Sequence, residues 1–199
     1  MQNVDSPLGE LNHRVKNNFQ IIISLMNLKK RMMPPENRED IRFLQDHVQS
    51  MAVAYRLAYA SGESTEVPIS DLLSEVVSEL RQIGSLDLGQ LQLSAKDIFA
   101  TINLDKAIAF ALYLAVVLPP FIDRANMSGS AVVVSASVQD RLLTLSVAGS
   151  DHQPLRLDAL RSRLSEAYVA QLHAEVSPLP GPVNESGIVI RFMLEAPHG

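Results

Sequence analysis

Two adjacent prolines, Pro34-Pro35, constrain this chain more than any other pair of residues. Proline lacks the amide hydrogen a helix needs and pushes its predecessor out of helical geometry, so a helix arriving there must stop. Upstream, Leu8, Leu11, Val15, Phe19, Ile22 and Met26 recur at steps of 3, 4, 4, 3 and 4. That is the stripe of an amphipathic helix, and Asp5-Ser6-Pro7 ahead of it offers a cap and a first-turn proline. Downstream, Ile41, Leu44, Val48, Met51, Tyr55 and Ala58 form a second stripe, which Gly62 breaks. The two stripes predict an antiparallel helical hairpin over residues 1–62. Such a pair buries too little apolar surface to be stable alone. Ile21, Ile23, Leu25 and Leu28 make the first helix apolar on more than one face. A homodimeric four-helix bundle answers that need; packing of the hairpin on its own C-terminal region is the alternative.

After Ser61-Gly62-Glu63-Ser64 the pattern becomes α/β, over residues 66–199. Short strands are expected at Val67–Ile69, Leu91–Ala95 and Phe99–Ile102, and a helix over Asp71–Ile83. Leu104–Ile122 reads as a strongly apolar helix opened by Asn103 and ended near Pro119-Pro120. Ala131–Val138 and Leu142–Val147 read as a hairpin turning at Gln139-Asp140, followed by a helix at about Asp158–Leu172 and strands near Glu175 and over Gly187–Leu194. The fold class is therefore α+β: a helical hairpin followed by an α/β sandwich with one sheet covered on one face.

The net charge of −5 shows no clustered basic excess, which argues against a nucleic-acid partner. The chain has no cysteine, which removes disulfides and thiolate chemistry and fits the reducing cytoplasm. The longest apolar runs, such as residues 107–121, are shorter than a bilayer span, and residues 1–11 lack a signal pattern, so a cytoplasmic protein off the membrane is expected. His47, His152, His173 and His198 show no metal-ligand spacing, and no nucleophile elbow accompanies Asp151-His152, so neither a metal nor a hydrolase site is expected. Met26, Met32, Met33 and Met51 read as core filling, and Tyr55 and Tyr59 as bundle packing.

His13 is different. At ~100° per residue it points well away from the stripe of residues 8–26, and Glu10, Asn17 and Gln20 fall on its side. A solvent-facing imidazole with a carboxylate one turn above it and an amide one turn below suits phosphoryl acceptance, and Arg14 and Lys16 can steer an anion. The string Glu10-Leu11-Asn12-His13-Arg14-Val15-Lys16-Asn17-Asn18-Phe19-Gln20, followed by Ile-Ile-Ile-Ser-Leu-Met, closely resembles the phosphoacceptor box of the HWE/HisKA_2 class of sensor histidine kinases. Residues 50–59 resemble that family's second dimerisation helix, with Tyr55 where a histidine is usual. The resemblance implies that His13 is phosphorylated and that the hairpin dimerises. It further implies a response-regulator receiver domain as partner, in bacterial two-component signalling.

The remainder resembles, in layout only, the GHKL-type ATP-binding domain that follows in such kinases. Where that family carries an acid and an amide on its first site helix, this chain aligns Val116 and Pro120. Where a strand should end in Asp-x-Gly, it reads Ser146-Val147-Ala148-Gly149-Ser150-Asp151, and residues 155–168 lack the glycine-rich lid. The resemblance thus implies a degenerate domain that holds no cofactor, with any Mg²⁺ supplied by the receiver. The expected function is a histidine phosphotransferase working through His13 without ATP. The alternatives are a receiver phosphatase using Asn17 and a non-enzymatic pseudokinase scaffold.

Overall fold

The computed structural model describes residues 7–60, 66–87, 89–95, 98–151, 154–179 and 187–195, with backbone alone for residues 7–14, 16 and 36. The first helix, α1, runs Pro7–Met32 and stops at the proline pair; after a 3₁₀ turn at Pro35–Asn37, α2 runs Arg38–Ala58. Strand β1 (Glu66–Pro68) leads into α3 (Ile69–Ile83), followed by β2 (Leu91–Ser94), β3 (Thr101–Asn103) and the long α4 (Leu104–Ser128). The hairpin β4 (Val132–Gln139) and β5 (Leu142–Gly149), then α5 (Ala159–Leu172), β6 (Glu175–Pro178) and β7 (Gly187–Met193) complete the order. The main sheet is ordered β2-β4-β5-β7-β6, with β2 parallel to β4 and the other pairs antiparallel. A separate two-stranded ribbon joins β1 to β3.

Local chemistry accounts for the boundaries. Asn103 caps α4 by accepting from the Lys106 amide at 2.9 Å, and Asp158 caps α5 by accepting from the Arg161 amide at 2.8 Å. Asp140 and Arg141 both take positive φ, 49° and 64°, which is what a two-residue turn between twisted strands demands. Gly129, at φ 70°, ends α4 with its amide on the Ala125 carbonyl.

Three expectations are corrected. α4 does not end at the prolines; it runs through Pro119 and Pro120 to Ser128. Burial of nearly every residue from Ala107 to Ile122 outweighs the loss of two helical hydrogen bonds there. This burial also explains a helix long and apolar enough to cross a membrane, since most of its apolar window lies inside the fold. The strand expected at Phe99–Ile102 is displaced to Thr101–Asn103, because it pairs with β1 from Pro68↔Thr101 to Glu66↔Asn103 and leaves Phe99 in solvent. Met32 is 75% exposed rather than core-filling, whereas Met26, Met33 and Met51 are half-buried.

Residues Val132, Val134, Leu143, Leu145, Val147, Ile190 and Phe192 face the helices from the sheet and meet Phe110, Leu114, Leu118 and Phe121 of α4 in one core. Val53, Ala54 and Ala58 of α2 belong to that same core. α2 therefore has two working faces. The stripe of Val48, Met51 and Tyr55 is half-buried on the α1 side, where Phe19 meets Tyr55 at 5.5 Å between ring centroids. The other face, Asp46, Ser50, Val53 and Ala54, consists of small or polar groups and lies fully buried. Small side chains allow the close approach of α2 to α4.

Candidate functional site

Position 13 lies within α1, which is unbroken from Pro7 to Met32. A regular helical backbone puts positions 13, 17, 20 and 24 on one face. The side chains of Glu10, His13, Arg14 and Lys16 lie outside the described residues, and only their place on the helix is given. Asn17 and Gln20 are exposed, and the Ser24 hydroxyl donates to the Gln20 carbonyl at 2.7 Å. Below them the same side becomes apolar. Asn17, Gln20, Ile21, Ser24, Leu25 and Leu28 line a shallow open groove. Ile21, Leu25, Leu28 and Met32 are 57%, 60%, 56% and 75% exposed at steps of 4, 3 and 4, the spacing of a helix–helix seam. The opposite side of α1, with Phe19, Ile23 and Met26, is half-buried towards α2.

The second place of interest is the end of β5, where α4 and the approach to α5 converge. Val116 is fully buried and Pro120 half-buried, so neither presents a cation ligand. Gly149 ends β5 against Phe121 and Asp151; a methyl group there would meet the Asp151 carboxylate at 2.8 Å and the Phe121 ring at 3.4 Å. Arg124 lies over the Phe121 ring at 4.9 Å, pairs with Asp151 at 3.0 Å and donates to the Pro154 carbonyl at 2.8 Å. One guanidinium thus fastens the β5–α5 connection to α4. The chain then passes directly to the Asp158 cap, and Leu164, Tyr168 and Val169 of α5 pack against the core.

A third cluster escaped the sequence reading. At the seam of α2 with α4 and α5, Arg42 donates to Asp123 at 2.7 Å. Arg161 pairs with Asp158 at 2.5 Å, approaches Glu39 at 3.6 Å and covers the Phe43 ring at 5.2 Å. Asp46 is only 2% exposed. Burial, outweighing the attraction of Arg42, pushes its carboxyl up to about 7. His47 donates through Nδ1–H to the Phe43 carbonyl at 2.8 Å, and burial lowers its pKa. A signal for this cluster was present. Asp46 and Ser50 lie one turn apart, nearly opposite the apolar stripe, on a helix with one more face than a solvated hairpin requires.

Among the described residues no three His, Cys, Asp or Glu side chains gather to hold a metal. Asp151 is engaged with Arg124, while His152 and His198 lie outside the described residues.

Residues 10–84 match the HisKA_2 family model, described as histidine kinase. The fold is similar to that of the histidine kinase domain from the blue-light activated histidine kinase of Erythrobacter litoralis EL346. That match has 19% identity and a TM-score of 0.61, covering 96% of this chain and 92% of that one. It is also similar to a larger structure of the same blue-light activated kinase, with 15% identity and a TM-score of 0.66 over 98% of this chain. The chain spans 62% of the length of that larger structure. No curated protein sequence shows a significant match.

Proposed function

We propose that this chain, whose residues 10–84 match the HisKA_2 family model and whose fold is similar to that of a histidine kinase domain, serves two-component signalling as a histidine phosphotransferase. His13 receives a phosphoryl group from the phospho-aspartate of one receiver domain and passes it to another. In the first step the acyl-phosphate P–O bond breaks, a P–N bond forms on the imidazole, and the aspartate carboxylate leaves. The receiver supplies Mg²⁺, so this chain contributes position, an exposed amide at Asn17 and a cationic approach from Arg14 and Lys16.

The observation that carries the ATP-independent part is the end of β5. Phe121, Arg124 and Asp151 fill it from within, and Val116 and Pro120 bring no carboxylate or amide to it. The working unit is a homodimer in the cytoplasm, joined through the exposed seam of Ile21, Leu25, Leu28 and Met32. A second reading, receiver phosphatase, is favoured by one feature: Asn17 is exposed one turn from position 13, where an amide can orient water.

Incubation with a receiver phosphorylated on its aspartate separates the readings. Acid-labile label on this chain, absent from His13→Ala, is the transferase outcome. Free phosphate, lost in Asn17→Ala but retained in part by His13→Ala, is the phosphatase outcome. Neither label nor phosphate leaves a scaffold.

A further inference from the structure

The seam between α2, α4 and α5 joins the helical hairpin to the α/β domain, and it carries more charge than a permanent joint requires. The pair Arg42–Asp123 ties the start of α2 to the end of α4. β1, which follows α2, pairs with β3, which precedes α4, so the two helices run antiparallel. One turn along α2 from Arg42, Asp46 is only 2% exposed, on the face of α2 that is buried in the fold. An ionised carboxylate is poorly placed there, and a protonated one is well placed.

The charged groups acting on Asp46 come from every neighbouring helix: Lys30 of α1, Arg42 of its own helix, Asp123 of α4 and Arg161 of α5. Lys30 is bonded to Gln45 at 3.3 Å and Arg161 is held by Asp158 at 2.5 Å, leaving Arg42 as the cation both carboxylates compete for. Asp123 keeps a 42% exposed side chain and tolerates release into water; Asp46 does not.

We propose that Asp46, Arg42 and Asp123 form a proton-operated latch between hairpin and α/β domain, closed when Asp46 is neutral and loosened when its ionisation draws Arg42 away from Asp123. The Asp46 carboxyl is raised from 3.8 to about 7, so the sign is fixed. Its stabilisation of the closed seam is complete below about pH 4 and is lost as pH rises through 7. His47 beside it acts in the opposite sense, since a lowered histidine destabilises the fold as pH falls below its ordinary range. The latch is therefore read on the neutral-to-alkaline side.

Hydrogen-exchange protection factors for α2 and the last turns of α4, measured from pH 6 to pH 8.5 on the whole chain, test this. In the wild type, protection there should fall about tenfold relative to the β4–β5 hairpin. In Asp46→Asn it should stay level across the range, and in Asp123→Asn it should be low throughout. A wild-type profile that is flat, or matched by Asp46→Asn, overturns the latch. Should Asp46→Asn fail to fold, infrared spectroscopy of the wild type reads the same group. A protonated-carboxyl band that titrates near neutral pH is expected, and its absence at pH 6 overturns the proposal. Neither readout depends on phosphoryl transfer, so the latch and the proposed function stand or fall separately.

Discussion

His13 and Gly187 pose opposite questions at the scale of single residues. Position 13 lies on the helix face shared with the exposed Asn17 and Gln20, so His13→Ala should leave stability within about 0.5 kcal/mol while removing all acid-labile label. Asn17→Ala should slow transfer only modestly, because it loses orientation and not the nucleophile; single-turnover transfer from a phosphorylated receiver measures both. Gly187 begins β7 opposite Ala148, and a Cβ there would stand 2.4 Å from the Val147 carbonyl oxygen. That neighbour is backbone in the centre of the sheet and cannot turn aside. Gly187→Ala should cost about 1–3 kcal/mol in denaturant unfolding, the range for overpacking, with no change in the chemistry of α1.

Between elements, the unanswered surface is the α1 seam. Ile21, Leu25 and Leu28 are more than half exposed, so charges placed there do not disturb the chain's own core. Leu25→Glu with Leu28→Glu should convert a dimer to a monomer in light scattering at tens of micromolar while leaving the thermal unfolding of the α/β domain in place. What could be read in advance follows the same division. Element type was legible wherever one periodicity dominated: the stripes of α1 and α3, the alternation of β4 and β5, the caps Asn103 and Asp158. It was less so where tertiary burial overrode a local signal, as at Pro119-Pro120, or where a strand was set by its partner, as at Thr101–Asn103. That positions 13, 17 and 20 share one side of α1 was legible because a rigid helix turns spacing into direction. Of the Arg42–Asp46–Asp123 cluster, only the second face of α2 was marked, by Asp46 and Ser50; its partner Asp123 lies 81 positions from Arg42, and no helix-period argument reaches across two elements.

For the molecule as a whole, the question is whether the α/β domain has any use for ATP. α2, α4, α5 and the sheet share one core, and the end of β5 is crossed by Arg124, which joins α4 to Asp151 and to Pro154. Opening a cavity there would require breaking that ion pair, whose Asp151 side chain is 11% exposed, and displacing Phe121 from the core. The positions that the resemblance aligns with a cation site carry Val116 and Pro120, which offer no side-chain oxygen. These obstacles are independent, so removing one should not restore binding. Calorimetric titration with magnesium and ATP at physiological levels should give no saturable heat for the wild type, and none for Arg124→Ala, which removes the guanidinium crossing the end of β5 without supplying ligands. Incubation with labelled ATP should accordingly leave His13 unlabelled, while the same preparation accepts phosphate from a phosphorylated receiver. A magnesium-dependent, sub-millimolar site, or acid-labile label acquired from ATP, would place this chain among working kinases and remove the case for transfer without nucleotide.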